Sequence, residues 1–187
     1  MSAELTGKRI AILATDGVEG VELTSPREAL EQAGATVELL APEDGSIQLW
    51  DHSEKGGTLP VDRAVSEADP QTYDGLVLPG GVRNADHLRM DAASVRFVEA
   101  LARRGTPIGV ICHGAWILIE AQAVDGRRLT SYPSLRTDLQ NAGAQWVDQE
   151  VVNDDGLVSS RRPDDLPAFN AKIVEEFAEG AHGRRAA

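Results

Sequence analysis

The sequence predicts an α/β protein with a doubly wound, mostly parallel sheet and helices on both faces. Short apolar runs recur along the 187 residues, helical patterns separate them, and glycine or Asp-Gly turns stand at the junctions. Strands that alternate with helices pair in parallel through right-handed crossovers. With 42% hydrophobic and 26% charged residues, the chain can build one core. We expect a single domain over residues 1–187, with its core at about 8–179 and a frayed tail at 180–187.

The first predicted unit is a strand followed by a helix. A buried strand is expected at residues 10–14, where an apolar run ends in Asp-Gly turn chemistry. The helix is expected within "TSPREALEQAGA", with Thr24 or Ser25 as its cap, Pro26 in its first turn and Gly34 at its end. Residues 43–68 are polar and glycine-rich, and we expect small strands or a hairpin there, off the main sheet.

The remaining elements follow the same criteria. A glycine turn is predicted to end the strand at 75–81, and Asp91 is expected to cap the long helix after it. The other predicted strands lie at residues 36–42, 108–111, 129–131, 145–147 and 157–160, and the predicted helices at 90–105, 114–124, 134–142 and 165–179.

Charge and composition exclude several classes of partner and cofactor. The 18 basic and 30 acidic residues give a net charge of −12, which disfavours nucleic acid and anionic membranes. No apolar run is long enough to span a bilayer and the first residues lack a leader pattern, so we expect a cytoplasmic protein. A single cysteine forms neither an internal disulfide nor a multi-thiolate site, and the four histidines lack metal-ligand spacing. We expect no metal and no cofactor.

Three segments leave the carboxyl ends of predicted core strands: residues 16–22, 79–81 and 112–114. Ligands of such sheets bind outside the carboxyl ends of the strands. Cys112 lies at a strand-to-helix junction, where an elbow exposes a nucleophile and the helix N-terminus lowers the pKa of a thiol. The alternative is that Cys112 is a small buried hydrophobe.

The residues around Cys112 have plausible roles beside it. His113 could accept its proton, or it could be a surface histidine at a helix start. Glu22 could hold a proton and donate it to the sulfur with Glu19 on the same helical face, or the pair could form an acidic first turn. Gly80 and Gly81 permit a close backbone approach, and the N–H groups of Gly81 and His113 could form an oxyanion hole.

Several long motifs together resemble one known family. The segments "YDGLVLPGG", "PIGVICHGAWIL", "LTSYPSLRTDLQNAGAQWVDQEVV" and "LVSSRRPDDLPAFN" are similar to the PfpI family of intracellular proteases and stress proteins. Its superfamily includes the parkinsonism-associated deglycase and class I glutamine amidotransferase domains. The resemblance, from about residue 8 to 176, implies a flavodoxin-like sandwich, Cys112 as nucleophile, His113 as its partner and Glu22 as the contacting carboxyl.

The resemblance also implies a shared active site. The third catalytic member of PfpI-like proteins comes from a neighbouring subunit, and the matching position here is Asp86, which implies at least a dimer. Asp86 replaces the Glu of some relatives and is one methylene shorter. Trp116 in "CHGAW" replaces a common Gln and either narrows the pocket or belongs to the core, while Tyr132 either lines the pocket or packs over the elbow.

Two functions from different classes follow. The first is a cysteine-dependent hydrolase-like enzyme that acts on peptide or amide bonds, or on small aldehydes and glycated proteins. The second is a stress or redox sensor that works through oxidation of Cys112 with little catalysis. An inert domain that retains the motif is a third reading.

Overall fold

The computed structural model describes residues 5–181. Strands and helices alternate along this part of the chain, as the sequence predicts. The strands are β1 (Arg9–Leu13), β2 (Val18–Glu19), β3 (Thr36–Ala41), β4 (Ser46–Asp51), β5 (Glu54–Pro60), β6 (Arg63–Ala64), β7 (Gly75–Leu78), β8 (Ile108–Ile111), β9 (Arg128–Leu129), β10 (Gln145–Trp146), β11 (Val151–Asp154) and β12 (Leu157–Ser160). The α-helices are α1 (Gly20–Gln32), α2 (Val82–Met90), α3 (Ala92–Arg104), α4 (Trp116–Glu120), α5 (Arg136–Asn141) and α6 (Leu166–Glu179).

The central sheet has seven strands in the order β11-β12-β8-β7-β1-β3-β6. Every pair in it is parallel except β11 with β12. The chain moves outward from β1 through β3 to β6, then returns to the other side of β1 with β7 and β8. The strand order therefore reverses between β1 and β7, and the carboxyl ends of β1, β7 and β8 open into one crevice. This confirms the predicted flavodoxin-like class.

Helices cover both faces of the sheet, and each face has its own apolar layer. On one face α1 and α6 pack against each other and bury Leu23, Phe169 and Phe177 over the sheet. On the other face α2, α3 and α4 pack together, with Leu101 and Leu118 fully buried. Sheet strands between two apolar layers explain the continuous apolar runs in the sequence.

Strands β4 and β5 form an antiparallel hairpin outside the central sheet, as predicted for residues 43–68. The prediction is wrong for β6 in the same region, because β6 pairs in parallel with β3 at the edge of the central sheet. The two-residue strand β2 joins β4 and places Glu19 opposite Trp50. The hairpin turn at His52 has a positive φ of 56°. This small sheet brings the turn next to the start of α1.

The prediction that Thr24 or Ser25 caps α1 is wrong. The helix begins at Gly20, and Pro26 lies inside it. Thr24 instead donates its hydroxyl to the Gly20 carbonyl at 3.1 Å. Burial of Leu23 in the first turn favours the earlier start over the local capping signal. The earlier start matters because it places Glu22 in the first helical turn, facing inward.

Besides the two-residue strand β2, helix α2 and strand β11 are absent from the sequence prediction. Helix α2 follows Gly81 directly, and its inward face carries Asn84, Ala85 and Leu88, too few apolar residues to announce a helix. Strand β11 pairs with β12 through a turn at Asp155 and Gly156, both with positive φ. An Asp-Gly pair is a strong hairpin signal that the sequence did contain.

Two further expectations concern the chain as a whole. Among residues 5–181 no helix is long and apolar enough to cross a membrane. Helix α6 ends before Gly180, as predicted. Most of the predicted frayed tail, residues 182–187, lies outside the described residues.

Candidate active site

Cys112 lies at a sharp turn directly after β8. Its φ is +61°, a left-handed conformation that a non-glycine residue adopts at a cost of about 1–3 kcal/mol. A 3-10 turn over Cys112–Ala115 leads into α4. A Cβ on Gly114 would lie 2.9 Å from the Pro79 carbonyl oxygen, so only glycine lets the turn approach the end of β7. The geometry is that of a nucleophile elbow, as the sequence predicts.

Glu22 is a fully buried carboxyl beside the cysteine. Its Oε2 accepts the Gly80 N–H at 2.9 Å, and the side chain interacts with the Cys112 thiol. Its Oε1 is buried with no hydrogen-bond partner among the described residues. Burial, and then the nearby Glu19 charge, raise the pKa of Glu22 to about 8. A pKa of about 8 favours the protonated form of Glu22 at neutral pH, which is one of the two alternatives that the sequence left open.

The expectation of a lowered pKa for Cys112 is not supported. The side chain is only 8% exposed, and burial raises the pKa of the thiol, as does the Glu22 carboxylate when it is ionised. The N–H groups of Gly81 and His113 both point at Cys112 and oppose this rise. The resting cysteine is a thiol whose sulfur faces two peptide donors, so it needs a base to become a nucleophile.

His113 supplies a candidate base. Its Nδ1 lies 3.3 Å from the Cys112 Sγ, and burial lowers the pKa of the ring, so the imidazole is neutral at pH 7. The other nitrogen, Nε2, lies 3.3 Å from the Ser134 hydroxyl. The ring of Tyr132 stacks on the imidazole at 4.7 Å, and the ring of Trp116 meets it edge-on at 5.5 Å.

The two aromatic residues therefore border the site. Tyr132 is 39% exposed and forms part of the mouth over His113. Trp116 packs partly against the core and donates its indole N–H to Asp138 at 3.0 Å. Trp116 thus packs against the core, as one of its two predicted roles requires, and it also contacts His113.

Asp86 lies apart from the histidine within one chain. It is exposed on α2, and among residues 5–181 the hydrogen-bond contacts of the His113 ring are to Cys112 and Ser134. The structure thus brings Cys112, His113, Glu22, Gly80 and Gly81 together and leaves Asp86 at the surface.

Glu19 lies at the edge of the site and belongs to a cluster of possible metal ligands. Donor atoms of Glu19, Asp51 and His52 lie within 4.8 Å of one another. The His52 ring already contacts Asp51 at 3.1 Å and Glu19 at 3.5 Å, and its backbone N–H donates to Glu19. These three side chains therefore contact one another directly, a proximity that sequence spacing did not indicate.

Two residues of the site were missing from the sequence analysis. Asn84 is fully buried; its side chain donates to the carbonyls of Pro79 and Gly80 and accepts the Thr15 N–H at 2.7 Å. It therefore ties the ends of β1 and β7 together. Ser134 contacts His113 from the "YPSL" turn. The position of Asn84 three residues after Gly81 could have indicated its role in the site. No feature of the sequence indicated a role for Ser134.

Comparisons with known proteins identify the family of this chain. The DJ-1/PfpI family model matches residues 8–176. The Bacillus subtilis protein YraA, named a putative cysteine protease, is 42% identical over 167 residues, which cover 89% of this chain and 96% of YraA.

Solved structures show the same fold. A two-domain protein of Anabaena variabilis with DJ-1/ThiJ/PfpI-like and ferritin-like domains is 31% identical with a TM-score of 0.85, over 90% of this chain and 47% of that one. DJ-1 of Schizosaccharomyces pombe is 21% identical with a TM-score of 0.79, over 90% of both chains. Since the family model spans most of the chain and the fold agrees, this protein belongs to the DJ-1/PfpI family.

Proposed function

We propose that the protein is a cysteine-dependent enzyme that adds the Cys112 sulfur to an activated carbonyl. One observation carries the proposal: the sulfur lies 3.3 Å from a neutral His113 nitrogen on a strained elbow, with two peptide N–H donors directed at it. A neutral base next to a thiol, with donors next to the nucleophile, is the set of parts that carbonyl addition requires.

The first step follows from these contacts. His113 Nδ1 removes the thiol proton as the sulfur bonds to the carbonyl carbon and the carbonyl π electrons move to oxygen. The N–H groups of Gly81 and His113 stabilise that oxygen, and the imidazolium returns the proton to it. With an aldehyde the product of this step is a hemithioacetal, and with a peptide or amide it is a tetrahedral adduct.

We favour small aldehydes such as methylglyoxal, and the early adducts that they form on proteins, as substrates of this enzyme. Cys112 is 8% exposed and Tyr132 and Trp116 border the histidine beside it. A small carbonyl compound fits such a recess more readily than an extended peptide. Proteolysis, suggested by the name of the B. subtilis relative, is the other substrate class to assay.

The test is a methylglyoxal assay with wild type and Cys112→Ala. We expect wild type to consume the aldehyde and release lactate, the product of its net hydration, while the variant remains at the background rate. A fluorogenic peptide assay run in parallel identifies the substrate class. Equal rates for wild type and variant on both substrates would contradict the proposed function.

We also propose that Asp86 of the partner subunit completes the site in a dimer or larger oligomer. Asp86→Asn should lower the Cys112-dependent rate at least about tenfold, because the carboxylate that orients His113 is lost. Mixing Asp86→Asn with Cys112→Ala should restore about a quarter of the wild-type rate, since half of the randomly mixed dimers contain one intact site.

The control mixture is Asp86→Asn with the double variant that carries both substitutions. It cannot form an intact site and should give no recovery. Recovery in neither mixture, with mass measurement confirming mixed dimers, would exclude an active site shared between subunits.

Oxidation of Cys112 is a second candidate function, favoured by the buried Glu22 proton. A protonated carboxyl that contacts the sulfur can donate a hydrogen bond to a sulfenic or sulfinic oxygen. Mild peroxide followed by mass spectrometry should add one or two oxygen atoms at Cys112. A cysteine that stays a thiol under these conditions would exclude this function.

A further inference from the structure

The contact between His113 and Ser134 gives the histidine a hydrogen-bond partner from its own chain. Among residues 5–181, His113 Nε2 at 3.3 Å is the hydrogen-bond partner of the Ser134 hydroxyl. The turn that carries Ser134 is fixed near the elbow, because the Tyr132 N–H donates to the Cys112 carbonyl at 3.2 Å. The same turn stacks Tyr132 on the imidazole. These two contacts of Tyr132 hold Ser134 next to the His113 ring.

We propose that Ser134 is the positioning residue of His113. Its hydroxyl accepts a hydrogen bond from the Nε2–H group, and this contact directs the lone pair of Nδ1 at the cysteine. The inference rests on the proposed function. It assigns a role to a residue that the sequence motifs did not single out and that contacts no reacting atom.

The protonation states around the ring agree with this assignment. Burial keeps the thiol protonated and the imidazole neutral at pH 7. In the proposed arrangement the S–H group donates to Nδ1, and the single ring proton sits on Nε2, which lies 3.3 Å from the Ser134 hydroxyl. When Nδ1 takes the thiol proton, the Nε2 hydrogen bond stays in place. The ring can act as a base without changing its tautomer or turning.

Ser134 also explains how a short carboxylate could serve this site. A hydroxyl that accepts from Nε2 still has its own proton to donate. Under the dimer proposed above, Asp86 of the partner subunit would accept a hydrogen bond from that hydroxyl and act on His113 through Ser134. Direct contact between the carboxylate and Nε2 would instead displace the hydroxyl.

The test is nitrogen NMR of the histidine rings in the full-length protein, with the His113 signals assigned by a His113→Gln variant. In wild type the proton should reside on Nε2, whereas Ser134→Ala should give a mixture of the two tautomers. Ser134→Thr keeps the hydroxyl and should restore the wild-type spectrum. Thr137→Ala, which removes an exposed hydroxyl on α5, is the matched control.

Kinetics provide the second readout. Ser134→Ala should lower kcat about fivefold, the value of one neutral hydrogen bond, with KM unchanged. Combining it with Asp86→Asn should cost no more than the larger single effect if the two residues act in series. An unchanged tautomer in Ser134→Ala would overturn the proposal even if Cys112-dependent activity is present. If Cys112→Ala kept the wild-type activity while Ser134→Ala still shifted the His113 tautomer, the result would contradict the proposed enzyme function but not the role of Ser134.

Discussion

Glu22→Gln is expected to remove most of the fall in folding stability that the wild-type protein shows between pH 5 and pH 8. The pKa of the folded carboxyl is about 8, against 4.5 for the ordinary group. In this window the unfolded chain releases the proton and the folded chain keeps it. Stability is therefore fully present below pH 4.5 and is lost as the pH rises toward 8. Between pH 5 and pH 8 the resulting loss of stability is about 3–4 kcal/mol at 1.36 kcal/mol per pKa unit.

Glutamine reproduces the neutral form of Glu22 because it keeps one acceptor for the Gly80 N–H and one donor. The two proteins should have similar unfolding free energies at pH 5, and the variant should be more stable by several kcal/mol at pH 8. Urea unfolding at pH 5, 6.5 and 8 measures this difference. The lowered pKa of His113 gives an opposite slope near pH 6.5, which is common to both proteins and cancels in the comparison.

The control is Glu28→Gln, which removes a carboxylate from an exposed position of the same helix. It should leave the pH dependence of the wild type intact. Parallel curves for wild type and Glu22→Gln across the range would show that Glu22 is ionised in the folded protein. The pKa of Cys112 should also fall in Glu22→Gln, because the carboxylate is one cause of its rise. Alkylation rates against pH would detect this shift.

The sequence predicted the sheet and its crevice well because both depend on local patterns. Apolar runs located four of the parallel strands, β1, β3, β7 and β8, and the turns after β1, β7 and β8 located the crevice. Helix α2 was not predicted because its buried face includes the polar Asn84. The side chain of Asn84 is buried because it forms hydrogen bonds with backbone groups after β1 and β7. A periodicity argument counts only apolar residues, so such a helix is invisible to it.

The chemistry of the site was harder to predict than its location. The helix terminus beside Cys112 indicated a lowered thiol pKa, but the enclosing residues come from distant segments and their burial reverses the direction. Ser134 lies 21 residues from His113, and nothing in the spacing indicates their contact. Segments at the carboxyl ends of neighbouring strands, including Glu22 and the Gly80-Gly81 turn, were assigned correctly to the elbow, while Asn84 and Ser134, which lie outside those segments, were not.

Gly80→Ala is expected to abolish activity and to destabilise the fold, because the Gly80 backbone lies against both Glu22 and Cys112. A Cβ there would lie 2.6 Å from the Cys112 Cβ and would overlap Glu22 Oε2. Neither neighbour can retreat, since Cys112 is held at a positive φ and Glu22 is fully buried. Overpacking of this kind costs about 1–3 kcal/mol or more, and a displacement of the nucleophile by about 1 Å costs on the order of 100-fold in rate.

The comparison that isolates this clash uses a second glycine. Gly57→Ala on the exposed strand β5 adds a methyl group with no atom within 4 Å, and should leave both activity and stability within error of wild type. Rates are compared at equal folded fraction, measured by thermal unfolding. Near-normal activity in Gly80→Ala would contradict the close packing of Gly80 against Glu22 and Cys112.

A double-mutant cycle then assigns the clash to its partner. Glu22→Ala alone is costly because it leaves a cavity and an unpaired Gly80 N–H. The methyl group of Gly80→Ala would fill part of that cavity, so the two stability losses should sum to more than the loss in the double variant. The difference should be at least about 1 kcal/mol if Glu22 and Gly80 are in contact. If the stability losses of the two single variants add up to that of the double variant, the added methyl group clashes with Cys112 rather than with Glu22. In that case Gly80→Ala would change the pKa of the Cys112 thiol and not the pKa of the Glu22 carboxyl.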